Sequence, residues 1–317
     1  MSFALALVAI ASYAAEIPVP KIQCGPWVVG VTENEMTIMW ITNERSMGWV
    51  ELAPDDGTSF YAEERPRYYE DYLGRHTVTK VHKVRVAGLQ AGTTYRYRIY
   101  QQGIDDSGHN PVAGRITASN VYSAKPYAIK TMNKSAKECR FSMVNDIHGR
   151  DSMLIALTKN VKTDRPDFMV FNGDMVDFMG SQKDLEEKFL KRSSELFATD
   201  IPLVYVRGNH ETRGPGFSEY LNLFPTNTGT ACFTFRQVHL PLSCWIVVRI
   251  SPIAIWSMVA QRPMTPIVSS WPRGSSRLYR AMIFARLPLR LLCCTFLLRR
   301  VKAGMAVTNS SVCLCLF

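Results

Sequence analysis

From Ala231 to Phe317 the chain contains neither Asp nor Glu, although ten Arg and one Lys stand in that stretch. A globular segment ordinarily carries about a quarter charged residues of both signs, so the stretch is anomalous. The formal charge of +10 on the 317 residues originates there, and residues 1–230 are close to neutral. A basic excess confined in this way, with no helical or aromatic pattern to display the arginines, excludes a nucleic-acid-binding surface. Cysteine is scarce elsewhere: only Cys24 and Cys139 precede the stretch, which excludes a disulfide framework for the rest of the chain. The later cysteines, Cys293-Cys294 and Cys313-x-Cys315 among them, follow no complete zinc spacing. Long apolar runs are absent as well. None reaches the roughly 18 uncharged residues of a membrane span, and Arg249 interrupts the best candidate.

What is present begins with an apolar run from Phe3 to Ala11, followed by small residues at Ser12 and Ala14. Run length and small residues predict an export signal over 1–20, and with it a secreted or periplasmic location, although no Lys or Arg opens the segment. Residues 21–130 then read as short strands. Met36 to Thr42, Trp49 to Leu52, Lys80 to Val86 and Tyr95 to Tyr100 alternate or run apolar, with turn residues between them and a glycine turn expected before Trp49. Repeated short strands predict a β-sandwich.

After a polar connector the period changes. Phe141 to Val144, Asp167 to Phe171 and Pro202 to Val206 are short apolar runs of strand length. A helical pattern spans Ser152 to Val161, and Ser181-x-x-Asp184 forms a capping box ahead of a second. Strand, helix, strand, helix, strand predicts a parallel sheet with right-handed crossovers, hence an α/β domain after the sandwich.

Each of these three strands runs into residues able to hold a metal: Asp146-x-His148, then Gly173-Asp174-x-x-Asp177, then Gly208-Asn209-His210-Glu211. Sites in open parallel sheets form beyond the carboxyl ends of the strands, so the three clusters are expected to converge. Carboxylate oxygen beside imidazole nitrogen suits Fe, Mn or Zn better than Ca or Mg. Asp174 could bridge two cations, and Asn209 offers a neutral amide oxygen. Arg150 and Arg207 flank the clusters, where either could contact a phosphate or serve the structure alone.

In this order on successive strands, the three motifs resemble the calcineurin-like metallophosphoesterases. The preceding sandwich resembles the N-terminal domain of purple acid phosphatases and their bacterial relatives. The string Gly88-Leu89-Gln90-Ala91-Gly92-Thr93-Thr94-Tyr95 looks like the corner of a fibronectin type III-like domain, with Tyr95 as the corner tyrosine. The resemblance, which covers roughly residues 21–230, implies two divalent or trivalent metal ions and a phosphate-ester substrate. Asp146, His148 and Asp174 would bind the first ion, and Asp174 and Asn209 the second. His210 would protonate the leaving group or stabilise the transferring phosphoryl. Asp177, Glu211 and Arg150 would support the site or meet the substrate. The reaction implied is attack on phosphorus by a metal-bound hydroxide.

Two departures point away from the purple, tyrosine-ligated members: His148 replaces a small non-ligand residue, and Asp177 stands in place of the tyrosine. A third is larger. The family completes its site with later histidines, including a Gly-His-x-His motif, whereas only His239 follows His210 here. The expected fold is therefore multidomain: a β-sandwich, then the first half of an α/β/β/α phosphoesterase domain over 139–230. The second half, 231–317, reads as out of frame, and activity is expected to be impaired. Without a second sheet, one apolar face of the parallel sheet should lie uncovered and lower solubility. The competing expectation is an inactive remnant whose sandwich serves as a binding or adhesion module.

Overall fold

The computed structural model describes residues 17–119, 124–136, 139–231, 233–237, 240–244 and 291–293. Most of the run read as an export signal, His239 and most of the acid-free stretch lie outside the described residues.

The N-terminal domain is built from β1 (Ile22–Val29), β2 (Glu35–Pro54), β3 (Arg67–Tyr69), β4 (Asp71–Tyr72), β5 (Arg75–His76), β6 (Thr79–Ala87), β7 (Thr94–Asp105), β8 (Val112–Ala118) and β9 (Tyr127–Lys130). Two layers arise because β2 serves both. Its first half pairs with β1 and β6, and its second half pairs with β3 and β7. The expected glycine turn before Trp49 is not there, since Gly48 lies inside β2. A Cβ at Gly48 would stand 2.5 Å from His82 Nδ1 and 2.6 Å from the Trp40 ring, so this glycine serves close packing rather than a turn. The expected corner tyrosine is in place: Tyr95 Oη accepts from the Gln90 amide at 2.9 Å.

The change of layer is pinned by buried polar groups. His82 Nε2 lies 3.2 Å from Thr42 Oγ1 and 3.1 Å from Ser46 Oγ, and its ring stacks on Trp40 at 4.6 Å. Burial pulls the His82 imidazole down to about 3 from its ordinary 6.5. The unfolded chain takes up this proton near pH 6.5 and the folded one does not. Stability is thus intact above that pH and falls between it and about pH 3. The slope is about 1.4 kcal/mol per pH unit, or about 2 kcal/mol between pH 7.5 and pH 5. Urea unfolding at the two pH values checks this, with His82→Gln expected to lose far less than the parent.

The second domain begins with β10 (Phe141–Val144), α1 (Asp151–Thr158), α2 (Val161–Asp164) and β11 (Phe168–Asn172). Next, α3 (Gln182–Leu185) continues through Ala198 with two π-helical stretches, and β12 (Leu203–Val206) follows. Asp184 accepts from the Gly180 and Ser181 amides at 2.8 and 2.9 Å, completing the expected capping box. β10, β11 and β12 pair in parallel, as strands joined by helical crossovers must.

The two domains share one sheet. β1 pairs in parallel with β12 through Val29 and Leu203, giving the order β10-β11-β12-β1-β2-β7-β8. Trp27 and Met39 of the first domain thereby enter the same core as Phe171, Phe189 and Tyr205 of the second. Tyr97 Oη donates to Thr199 O at 2.7 Å, and Gln23 Nε2 to Glu186 Oε1 at 2.6 Å, across the junction.

The apolar face expected to lie uncovered is buried. Phe168, Val170 and Val206 pack in one cluster with the sandwich core, Phe141 stacks on Phe168 at 5.2 Å, and Phe233 packs against the cluster. Sandwich-core residues such as Tyr97 and Ile129, which strand counting within the second domain could not anticipate, belong to that cluster. Phe233 belongs to β13 (Phe233–Gln237), which pairs antiparallel with β14 (Leu240–Cys244), itself parallel to β15 (Leu291–Cys293).

Candidate metal centre

The loops after β10, β11 and β12 bring the three sequence clusters together. Asp146 N donates to Gly173 O at 3.2 Å, and His148 N to Asp174 O at 3.1 Å. His210 N donates to Asp174 Oδ1 at 3.0 Å. Asp146, His148 and Asp174 have φ of 58°, 53° and 56°, in the left-handed region that non-glycine residues avoid. Such conformations cost about 1–3 kcal/mol each and persist only where surrounding contacts hold them. Gly208 permits the closest approach: a Cβ there would stand 2.6 Å from the Asp174 amide nitrogen.

Donor atoms of His148, Asp174 and His210 all lie within 4.8 Å of one another. Asp174 is 5% exposed, while the His148 and His210 rings are partly exposed and meet edge to face at 4.6 Å. His148 Nδ1 sits 2.6 Å from Asp177 Oδ1. A carboxylate oxygen accepts, so Nδ1 is the donor in this contact and Nε2 is the ring nitrogen left to face a metal. That Nε2 lies 3.6 Å from Asp146 Oδ1. Two imidazole nitrogens with a buried carboxylate fit a borderline cation such as Zn, Mn or Fe.

The other expected site residues take different positions. Asn209, with its amide oriented to satisfy its neighbours, donates to Asp174 Oδ2 at 3.3 Å and accepts from Arg213 Nη2 at 2.8 Å. Arg150 donates to Ile147 O and Asp146 O, both at 2.9 Å, and so braces the β10 loop through its carbonyls. Arg207 is buried and donates to Gly208 O at 3.3 Å. Asp177 is exposed apart from its histidine contacts.

His210, read from sequence as the proton donor, stands inside the donor group. Its Nδ1 lies 3.0 Å from Asp177 O and 3.0 Å from Arg213 Nη1. The two contacts exclude each other, because Nδ1 must carry a proton for the first and a lone pair for the second. Arg213 was not singled out from sequence, and its place three residues after His210 was the only available signal. Tyr205, inside β12 and hydrogen-bonded to Glu211, left none, since it reads as an ordinary strand residue. A cleft of about 530 Å³ between the domains, lined by Lys125, Lys162, Lys191 and Asp200 among others, lies apart from these residues.

An imidazole–carboxylate group thus lies at the carboxyl ends of a parallel sheet, behind a β-rich domain. Residues 139–259 match the calcineurin-like phosphoesterase family, and residues 25–125 match the purple acid phosphatase N-terminal domain. The chain therefore carries a purple acid phosphatase N-terminal domain followed by a calcineurin-like phosphoesterase domain. The second match runs past residue 230, where the resemblance was expected to end.

Among solved structures, the purple acid phosphatase PPD1 from yellow lupin (Lupinus luteus) seeds aligns at 13% identity and a TM-score of 0.47. It covers 69% of this chain and 43% of that one, so the chain spans less than half of the lupin protein's length. The chicken CNTN1 FN1-FN3 domains align at 15% identity and a TM-score of 0.21, over 39% of this chain and 38% of theirs. No curated protein matches the chain. Among the described residues, no helix is long and apolar enough to cross a membrane.

Proposed function

We propose that this chain hydrolyses phosphate esters at a centre designed for two metal ions, with activity reduced by an incomplete ligand set. The observation that carries the reading is the convergence of His148, Asp174 and His210 donor atoms within 4.8 Å, from three different strand ends. His148, Asp174 and Asp146 would hold one ion, and Asp174 with Asn209 the other. Bound ions would polarise the phosphoryl oxygens and offset charge on the attacking and leaving oxygens. His210 would place a proton on the leaving oxygen whenever its ring is not drawn into the metal group. Asp177 orients His148 through Nδ1, and Arg150 keeps the Asp146 loop closed on its helix.

Among the described residues the second ion would have Asp174 and Asn209 as donors, and Arg213 donates to the amide oxygen of Asn209. The later family histidines would fill those positions, and the acid-free composition after Ala231 supports a shifted reading frame as the reason they are absent. The boundaries proposed remain 21–130 for the sandwich, which we read as fibronectin type III-like, and 139–230 for the in-frame phosphoesterase part. The Phe3–Ala11 run supports export to a secreted or periplasmic location.

The full chain, purified with Mn or Zn, is expected to retain metal and to turn over a chromogenic phosphate ester slowly, with chelation abolishing turnover. Neither metal nor turnover would establish the alternative of an inactive remnant with a binding sandwich. Resequencing across residue 231 tests the frame: an alternative frame rich in Asp and Glu and encoding Gly-His-x-His is expected.

A further inference from the structure

We propose that Glu211 is a positioning residue that holds Asp174 at the point where the three strand ends meet. This deepens the phosphoesterase reading and rests on it for the metal. The Glu211 carboxylate is fully buried and accepts four hydrogen bonds. Oε1 takes the Met175 amide at 2.7 Å and the Tyr205 hydroxyl at 2.6 Å. Oε2 takes the Asp174 amide at 3.1 Å and the Gly208 amide at 2.8 Å. These donors belong to two strand ends, so a single side chain ties the β11 loop to β12 and its loop.

The tie acts where the backbone most needs one. Asp174 stands at φ 56°, a conformation that costs free energy unless contacts on both sides hold it. Two successive amides, at 174 and 175, point at one carboxylate, which fixes the peptide plane between them. On the far side, the Asp174 carbonyl accepts from His148 N, and its carboxylate accepts from His210 N. Asp174 is thus clamped through its amide, carbonyl and side chain, and Glu211 provides the amide clamp. Through Asp174 it sets the separation of the His148 and His210 donors. Gly208 belongs to the same device, because its amide reaches Glu211 and the absence of its Cβ lets Asp174 approach.

Glutamine cannot replace this carboxylate. Its NH2 end would face the Met175 amide or the Asp174 and Gly208 amides, donor against donor. Tyr205→Phe, in contrast, removes one donor and leaves all three backbone amides held. With full-length chain and Mn alone as probe, Glu211→Gln is expected to weaken metal retention about 10–100-fold, the usual range for groups that orient ligands. Tyr205→Phe should lower the thermal midpoint yet leave metal affinity within about twofold of the parent. Equal affinity losses in the two variants, or none in a folded Glu211→Gln chain, would overturn the assignment. Amide exchange on the metal-free parent keeps the test independent of variant folding. The amides of Asp174, Met175 and Gly208 are expected to be protected at least about 100-fold, whereas exchange at open-loop rates would overturn it. A parent that shows these protected amides but retains no Mn overturns the phosphoesterase reading, and with it the metal-holding part of this inference; the amide clamp would then be a feature of the fold alone.

Discussion

Asp174→Asn is expected to lower metal retention by about 100-fold or more and to end phosphate-ester turnover, with little change in the fold. The substitution keeps the shape of the side chain and an oxygen to accept from His210 N, so the β12 loop remains tied. It removes the charge and one donor oxygen. Asp174 is the one member of the donor group that is buried, and its charge is the part of the site that attracts a cation at short range. A neutral amide offers a single weak oxygen donor and cannot bridge two cations as a carboxylate can. Equilibrium dialysis against Mn or Zn, with circular dichroism as the control for folding, provides the check. Parent-like metal affinity in the variant would place the metal donors elsewhere.

Trp27→Ala is expected to destabilise the chain by about 3–5 kcal/mol, the usual cost of removing a buried large aromatic. Trp27 belongs to β1, a strand of the sandwich, yet it lies fully buried in the core that includes Phe171 and Phe189. Its indole Nε1 donates to Leu223 O at 3.2 Å, so truncation also leaves a buried carbonyl short of a partner. Because β1 also pairs with β12, the loss should reach both domains together. Urea unfolding followed by tryptophan fluorescence and by far-UV signal should show one coincident, shifted transition. Two separated transitions, or a shift below about 1 kcal/mol, would show that the domains do not share this core.

Much of the site was legible because its chemistry is local. His148 and Asp174, two members of the donor group, announce themselves by residue type and spacing, and short apolar runs place each cluster after a strand. The capping box at Ser181 and the tyrosine at 95 were readable for the same reason, each being a contact within five residues. The Met36 to Thr42 run was readable as a strand but not as one buried on both faces. Ile38 and Trp40 face the sandwich core, and Met39 and Ile41 face the phosphoesterase core. Alternation of polar and apolar residues reports one covered face, and here the second cover comes from residues more than a hundred positions away.

Glu211 shows the same limit from within a motif. Its place after Asn209-His210 suggested a supporting role, but nothing nearby in sequence says that its partners include the amides of Asp174 and Met175, 37 and 36 residues earlier. Arg213 and Tyr205 went unread because a hydrogen bond to a site residue leaves no periodic trace.

The three motifs, the β-rich domain before them and the loss of acidic residues after Ala231 were determined by the sequence alone. Each is a matter of residue type over a short span, which folding does not alter. Only the tertiary structure decided that His210 joins His148 and Asp174 in one donor group, that Arg150 braces a loop, and that β1 completes the phosphoesterase sheet. Those outcomes depend on pairing between distant segments. Packing of the whole chain selects that pairing, and no single stretch encodes it.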